Sequence, residues 1–434
     1  MRWLMRTVGK QKPGLLIVLG FLLLILIGTL LLLLPVSIRD GQTVTFVDAL
    51  FTSTSAVCVT GLLVVDTADT FTIFGRTVVA LLIQIGGLGV SSVGVGAILL
   101  MRRHIGFKER ILVQEGLNLS SPRGAVRLVR AVLITTLSIE LVGMALSYIV
   151  FSQDHPPLAA LGISAFHAVA SFNNSGFDIL GGMQNLIPYQ NNVLLNLTTA
   201  GMIILGGLGF LVIVEVVQKR RFRKLSLHSK IVLTMTAGLL AVGTVLIFAT
   251  TDISWLGAFF TSTSARTAGF STFSLGDFSS AGLFVVILLM FIGASPGSTG
   301  GGIKTTTFFS LIMATYAIAA NKHATAFKRT IPRDTLYKAF VVTTLAIGLC
   351  SVVLLLLCIL EPALNVEKLL FEVVSAFGTV GLSTGITPEL TDASKLVITV
   401  TMFIGRLGPL TVASLLTFRA LPNVHYSEEP IPIG

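Results

Sequence analysis

The stretch FTSTSAVCVTGL at residues 51–62 decides the fold, because its pattern occurs four times along the chain. In each copy a Phe stands ten residues before a Gly, small residues fill the middle, and a bulky apolar residue follows the Gly. The other copies are FHAVASFNNSGF at 166–177, FFTSTSARTAGF at 259–270 and FEVVSAFGTVGL at 371–382. They align without gaps, so the sequence predicts four equivalent copies of one structural element.

The composition around these cassettes is that of a membrane protein. Of 434 residues, 53% are hydrophobic and 12% are charged, and the mean hydropathy is +0.90. A soluble domain carries about 25% charged residues. The chain has too little polar surface for a soluble enzyme and too much apolar surface for a disordered protein.

Eight apolar segments are long enough to cross a bilayer of about 30 Å. They lie near 13–35, 77–100, 128–151, 193–217, 230–250, 281–315, 337–360 and 395–418. An even number of spans puts both termini on one side. That side would hold 23 of the 30 Lys and Arg residues, and the positive-inside rule therefore places both termini in the cytoplasm of a cell-membrane protein.

The charges also bear on partners. The basic residues fall in separate short connections without interleaved aromatic residues, so they indicate topology in a lipid bilayer and no nucleic acid partner. The opposite face would hold thirteen acidic and four basic residues, a balance that attracts cations.

Each cassette is too short to span the membrane, since ten residues of helix reach about 15 Å. The cassettes therefore fit re-entrant pore helices, each ending at a Gly-containing turn. Each is followed by a Gly-rich break in the next span: IGGLG from 85, LGGLG from 205, IGASPG from 292 and IGRLGP from 404. The sequence predicts an all-α integral membrane protein, a single transmembrane domain over 1–434. It would hold four pseudo-symmetric helix–pore-helix–helix repeats around one central pore, as in potassium channels. The repeats fall near 13–100, 128–217, 228–319 and 337–419, followed by a C-terminal tail at 420–434.

The turns that end the four cassettes form a predicted K⁺ selectivity filter. A cation entering the membrane needs replacements for its lost water, and backbone carbonyls can supply them. Glycine allows the backbone angles that align such carbonyls. The predicted ion-binding residues are Val59, Thr60, Gly61, Leu62, Asn174, Ser175, Gly176, Phe177, Thr267, Ala268, Gly269, Phe270, Thr379, Val380, Gly381 and Leu382.

A gate is predicted below this filter. The stretch GASPGSTGGGIKTTT at 293–307 contains five Gly and one Pro, so a continuous helix is not expected there. Irregular backbone at membrane depth is tolerated where it lines a cavity or is buried in protein. The spacing before Lys304 is not that of a phosphate-binding loop. The predicted gating residues are Gly293, Ser295, Gly297, Gly300, Gly301, Gly302, Lys304 and Arg406.

Three charged residues within or beside the spans need partners. We expect Arg406 to hydrogen-bond to the 293–307 stretch in a closed state, with a purely structural pairing as the alternative. Arg266 is expected to brace the end of its pore helix, and Glu140 to make structural hydrogen bonds.

The four cassettes, the 293–307 stretch and IGRLGPLT at 404–411 resemble the Trk/Ktr/HKT superfamily of cation transport proteins. The chain length resembles its KtrB type of membrane subunit. This resemblance implies potassium preference, often with sodium stimulation. It also implies a homodimer bound on its cytoplasmic side to a ring of KtrA-type regulatory subunits. Nucleotides bind to that ring, so no cofactor is expected in this chain. The tail at 424–434 would lie near the dimer interface.

The sequence therefore favours passive K⁺ translocation through a carbonyl-lined filter gated by a Gly-rich intramembrane loop. The alternative substrate is Na⁺ or a Na⁺/K⁺ mixture. A membrane enzyme would need clustered His, Asp or Glu within the spans, where only Glu140 and Glu215 qualify. A receptor or scaffold gives no reason for four filter cassettes.

Overall fold

A computed structural model describes residues 13–90, 92–95, 111, 114, 124–409 and 411. The fold is mostly helical. Its helices are α1 (Pro13–Leu32), α2 (Phe46–Val57), α3 (Thr67–Thr70), α4 (Ile73–Leu88), α5 (Ala125–Phe151), α6 (Pro157–Phe172), α7 (Val193–Leu208), α8 (Phe210–Lys219), α9 (Leu227–Thr250), α10 (Trp255–Ser264), α11 (Ser280–Phe291), α12 (Thr305–Ala319), α13 (Arg333–Leu360), α14 (Val366–Gly378) and α15 (Asp392–Leu407). The predicted all-α class needs one amendment, because two short strands, β1 (Thr325–Ala326) and β2 (Arg329–Thr330), form an antiparallel hairpin between α12 and α13.

Four long helices, α1, α5, α9 and α13, are apolar enough to cross a membrane unbroken. Their outward faces carry many exposed large apolar side chains, such as Leu30, Leu141 and Leu355. Such faces are stable against lipid and unstable against water. In the part of the chain that the structure describes, these four helices, or five if the bent pair α7–α8 counts as one, meet the length and hydropathy of a span. The predicted eight spans stay a prediction.

Each long helix is followed by a shorter helix, α2, α6, α10 or α14, that is buried inside the bundle. Good caps begin two of them: Thr45 and Asp48 form a reciprocal capping box on α2, and the Ser254 hydroxyl accepts from Gly257 N on α10. Most of the Ser and Thr residues of α2 and α10 are buried. These helices therefore bury polar side chains that lipid would not tolerate, so they must lie inside protein.

The helices that follow are interrupted where glycines adopt a positive φ. Gly89, Gly209 and Gly408 have φ of 83°, 91° and 88°, and α4, α7 and α15 each end at the residue before. Helices α4, α7 and α15 therefore continue through the first glycines of their predicted breaks, and each ends just before the last glycine of its break. Helices α7 and α8 meet at 98° across Gly209. The predicted span at 281–315 is two helices, α11 and α12, because residues 292–304 form a loop.

The main hydrophobic core lies between the four short helices and the long helices around them. Its largest fully buried side chains include Phe51, Phe151, Phe177, Phe270 and Phe377. The core therefore encloses the ends of the short helices, which places the extended segments that follow them at the centre of the bundle.

Candidate ion pathway and gate

The glycines of the four cassettes form a closed ring. Each lies against the carbonyl oxygen that precedes the glycine of the next cassette. A Cβ added to Gly61 would lie 2.1 Å from the Ser175 oxygen, and one added to Gly381 would lie 2.1 Å from the Thr60 oxygen. Gly176 and Gly269 approach the carbonyl oxygens of Ala268 and Val380 in the same way, at 2.8 and 2.5 Å. Four segments far apart in sequence thus meet around one axis.

All four segments share an unusual backbone. The residue two positions before each glycine has a positive φ, as does the glycine itself. These residues are Val59, Asn174, Thr267 and Thr379, with φ of 57°, 59°, 69° and 49°. A non-glycine residue in this region costs of order 1–3 kcal/mol and persists where the surroundings over-determine it. Such strain clusters at functional sites, and here it occurs at the same position of all four segments.

Hydroxyl groups of the short helices hold the segments from behind. Ser55 Oγ accepts from Gly61 N at 3.0 Å and donates to the Leu62 carbonyl at 2.8 Å. Ser375 Oγ accepts from Gly381 N at 3.1 Å. These serines stand in the same column of the cassettes, so the sequence pattern itself marks them.

The third cassette departs from the gapless alignment. Phe260, not Phe259, is fully buried at the position of Phe51. Ser53 and Ser262 make equivalent contacts, since their hydroxyls donate to Ile25 O at 2.7 Å and Leu240 O at 3.2 Å, each three residues before a glycine of the long helix. The hexapeptide FTSTSA occurs at 51–56 and again at 260–265. The third turn is therefore one residue shorter, and Ser264 Oγ reaches the Phe270 carbonyl at 2.5 Å.

Side chains and backbone play different parts in this ring. All sixteen predicted filter residues are buried. Leu62, Phe177, Phe270 and Leu382 pack their side chains into the hydrophobic clusters, so only their backbone could meet an ion. The Thr60 hydroxyl is buried and bonds to no described residue. Such a hydroxyl fits contact with water or an ion.

A cavity of about 260 Å³ opens directly beyond the ring. Its wall includes three of the ring glycines and the residues two positions after each of the four glycines, namely Leu63, Asp178, Ser271 and Ser383. Asp178 carries the one charged side chain of this wall among the described residues. The pKa of Asp178 is raised to about 6, chiefly by burial and in part by nearby Asp66, although hydrogen bonds from backbone N–H donors and Asn185 act to lower it.

The loop at 292–304 lies on the other side of the ring, against two of its segments. Gly301 N donates to Thr379 Oγ1 at 2.9 Å, and a Cβ on Gly300 would lie 2.0 Å from Thr267 Oγ1. Gly293 N donates to Ile303 O at 2.8 Å, which closes the base of the loop. The expectation that this stretch is not a continuous helix is therefore confirmed, and the loop lies directly beneath the strained residues of the ring.

Backbone hydrogen bonds also join the loop to α7 and α8. Ser295 N donates to Gly207 O at 3.1 Å, and Phe210 N donates to Gly297 O at 3.0 Å. Lys304 lies within the loop, and its ammonium donates to the carbonyls of Gly300 and Gly301 at 2.7 and 3.3 Å. Lys304 therefore holds the loop's own carbonyls.

Arg406 makes the predicted contact with the loop. Its Nη1 donates to the Thr299 carbonyl, and its Nη2 donates to the carbonyls of Gly86 at 2.5 Å and Gly87 at 3.3 Å. No acidic side chain pairs with Arg406 among the described residues. One guanidinium thus ties α15 to the end of α4 and to the loop.

The other two charged side chains, Arg266 and Glu140, make hydrogen bonds that join helices. Arg266 donates to Thr236 O at 3.3 Å and Thr236 Oγ1 at 3.4 Å on α9. It therefore braces the long helix, whereas the sequence had predicted that it would brace the end of its own pore helix. Glu140 accepts from Gln84 Nε2 at 3.4 Å and Asn173 Nδ2 at 3.2 Å, as expected for hydrogen bonding. The sequence reading missed Asn185, which donates to the Gly176 carbonyl at 3.0 Å, and no pattern pointed to it.

Comparisons with known proteins agree with this architecture. The family model described as TrkH, a cation transport protein, matches residues 10–255 and 231–428. The potassium/sodium uptake protein NtpJ of Enterococcus hirae is 40% identical over 99% of both chains. The Ktr system potassium uptake protein B of Bacillus subtilis is 38% identical over 98% of this chain and 97% of its own.

A solved structure shows the same fold. The potassium transporter TrkH from Vibrio parahaemolyticus superposes with a TM-score of 0.75 at 18% identity. The match covers 94% of this chain and 86% of the other. The fold is thus that of a multi-pass membrane protein.

Proposed function

Because this chain belongs to the TrkH family of cation transport proteins, we propose that it is the ion-conducting membrane subunit of a potassium uptake system. The family is one of transporters and not of enzymes. The observation that carries the proposal is the closed ring of Gly61, Gly176, Gly269 and Gly381 at the centre of the bundle. Transport is passive and follows the electrochemical gradient, since an inside-negative potential contributes about 2.3 kcal/mol per charge per 100 mV.

The ring acts as the selectivity filter. Its carbonyl oxygens replace the water that a cation loses, as in the filters of potassium channels. The alternating positive φ values support this role, because they hold the backbone in conformations that an ordinary strand does not adopt. The serine hydroxyls behind the ring and the buried core around it keep the carbonyls in place.

The loop at 292–304 acts as the gate. It lies across the cytoplasmic side of the ring and is held there by hydrogen bonds to Thr379, α7 and Arg406. The charge of Arg406 repels a cation below the filter. Opening requires that these hydrogen bonds break together or that the elements holding them move.

The proposal extends to the orientation and the partners of the chain. Both termini lie in the cytoplasm, and the chain works as a homodimer with a KtrA-type nucleotide-binding ring. The support is the distribution of basic residues and the name of the Bacillus subtilis relative, which belongs to a Ktr system. Mass measurement of the purified membrane subunit in lipid nanodiscs, with and without such a ring, tests the stoichiometry.

A second substrate is favoured by one specific observation. The Enterococcus hirae relative is named a potassium/sodium uptake protein. The alternative is therefore a Na⁺ or mixed Na⁺/K⁺ transporter of the same architecture.

Liposome flux separates these substrates and tests the filter. Liposomes containing the chain alone are loaded with K⁺, and uptake of radioactive Rb⁺ and Na⁺ is measured. We expect Rb⁺ uptake to exceed Na⁺ uptake, and Gly381→Ser to reduce that ratio. A Cβ at Gly381 would meet the Thr60 carbonyl at 2.1 Å and turn it from the axis. A Gly381→Ser protein that inserts normally and keeps its ratio would show that Gly381 only packs.

A further inference from the structure

The second segment of the ring is braced by a side chain that the other three segments lack. Asn185 Nδ2 donates one hydrogen to the Gly176 carbonyl and the other to Asp178 Oδ2, both at 3.0 Å. Asn185 Oδ1 accepts from Ser271 N at 3.1 Å. No side chain of the described residues donates to the carbonyl of Gly61, Gly269 or Gly381.

The network settles which way the Asn185 amide points. Its oxygen also accepts from Leu186 N at 2.9 Å, so it faces two N–H donors while the nitrogen faces two acceptors. Every hydrogen-bonding group of the amide is therefore used. Asn185 joins the second segment to the residue just after the third, across the boundary between two cassettes.

The loop that carries Asn185 is itself fixed to the first quarter of the chain. Asp66 accepts from Met183 N at 2.6 Å, and Asp69 accepts from Gly182 N at 3.0 Å. Asn185 has a φ of 51°, a conformation that Asn and Asp tolerate better than most residues. A side chain on such a rigid support can hold a carbonyl in one direction.

We propose that Asn185, oriented by Asp178, is a positioning residue for ion selectivity, because it sets the direction of the Gly176 carbonyl. The inference rests on the proposed filter. A carbonyl oxygen has two lone pairs, so the Gly176 oxygen can accept from Asn185 and still face an ion. Loss of the brace lets this carbonyl rotate, which weakens the discrimination between K⁺ and the smaller Na⁺.

The test compares Rb⁺/Na⁺ flux ratios in liposomes for three variants. Asn185→Ala removes the brace, and we expect the ratio to fall by roughly three- to tenfold, the range that one buried hydrogen bond spans. Asn192→Ala is the matched control, because Asn192 caps α7 from the same connection by accepting from Leu195 N at 3.0 Å. We expect Asn192→Ala to lower the thermal stability and to keep the Rb⁺/Na⁺ ratio.

The third variant, which combines Asp178→Asn with Asn185→Asp, isolates the filter bond. The amide now at position 178 donates to the carboxylate now at position 185. That carboxylate still accepts from Leu186 N and Ser271 N, so the loop keeps its hydrogen bonds. The Gly176 carbonyl loses its donor and faces a carboxylate oxygen in its place. We expect a folded protein with a reduced ratio. A wild-type ratio in this exchange variant would overturn the proposal, because Asn185 would then serve the loop alone.

Gly381→Ser, measured beside these variants, separates the two levels of the argument. If Gly381→Ser lowers the ratio and both Asn185 variants keep it, the proposed role of Asn185 is wrong and the assignment of the filter is retained. If Gly381→Ser also keeps the ratio, the filter assignment fails and the brace fails with it.

Discussion

Replacing Arg406 by Gln is expected to raise the ion flux at a fixed gradient. Arg406 donates to Thr299 O in the loop and to Gly86 O and Gly87 O at the end of α4. Its guanidinium stays charged even when buried, and its planar fork reaches two elements at once. A Gln side chain is shorter and neutral, and it cannot make all three bonds.

The size of the effect follows from the loop bond. A hydrogen bond from a charged donor contributes about 1.5–3 kcal/mol. If it exists only in the closed state, its loss raises the open-to-closed ratio by roughly ten- to hundredfold. The Gly301–Thr379 bond and the backbone bonds to α7 remain. We therefore expect the lower end of this range, a rise in basal flux of roughly tenfold.

The assay is Rb⁺ uptake by liposomes at matched protein density, without a regulatory subunit. Arg406→Lys keeps the charge and loses the fork, so its flux should fall between wild type and Gln. Arg266→Gln is the control, because Arg266 is also buried but bonds to α9 and not to the loop. A correctly folded Gln variant that conducts less than wild type would refute the reasoning and assign Arg406 a structural role.

Three further predictions concern the loop, the outer cavity and the ring. Deleting part of 297–302 should raise basal flux and weaken the dependence on a regulatory partner; unchanged flux in a folded deletion would argue against a gate. Because the pKa of Asp178 is raised to about 6, this carboxyl is charged above that pH and neutral below it. Uptake from low external K⁺ should therefore fall as external pH drops through about 6, and Asp178→Asn should flatten the profile; an unchanged wild-type profile excludes this role. Ser375→Ala leaves Gly381 N without its acceptor, which costs about 1–3 kcal/mol, so unfolding in detergent should begin at a lower temperature and the Rb⁺/Na⁺ ratio should fall. Equal stability of Ser375→Ala and wild type would mean that the hydroxyl is dispensable.

Much of the architecture could be predicted from local patterns in the sequence. The cassettes, the breaks that follow them and the non-helical stretch at 293–307 depend on residue types whose backbone preferences act locally, such as runs of glycine. The composition alone required a membrane environment. Arg406 could be matched to the loop because a buried guanidinium must find acceptors, and the loop offers many carbonyls at a similar depth.

The register of the third cassette was harder to predict from the sequence. The spacing of one Phe and one Gly does not say where the helix between them ends. Aligning Phe259 with Phe51 gave a gapless match, yet packing against Gly243 puts Ser262 where Ser53 packs against Gly28. The helix position is chosen by the long helix it packs on, and the turn then absorbs the missing residue.

The sequence by itself determined which segments bend and which residues need burial, since those properties belong to each residue and its near neighbours. Only the tertiary structure decided the order of the ring, in which Gly381 closes on Thr60 from the opposite end of the chain. It also decided that Lys304 folds back on its own loop and that Asn185 supports a carbonyl nine residues before it. These contacts depend on where side chains come to lie once distant helices have packed, and no spacing along the chain encodes that.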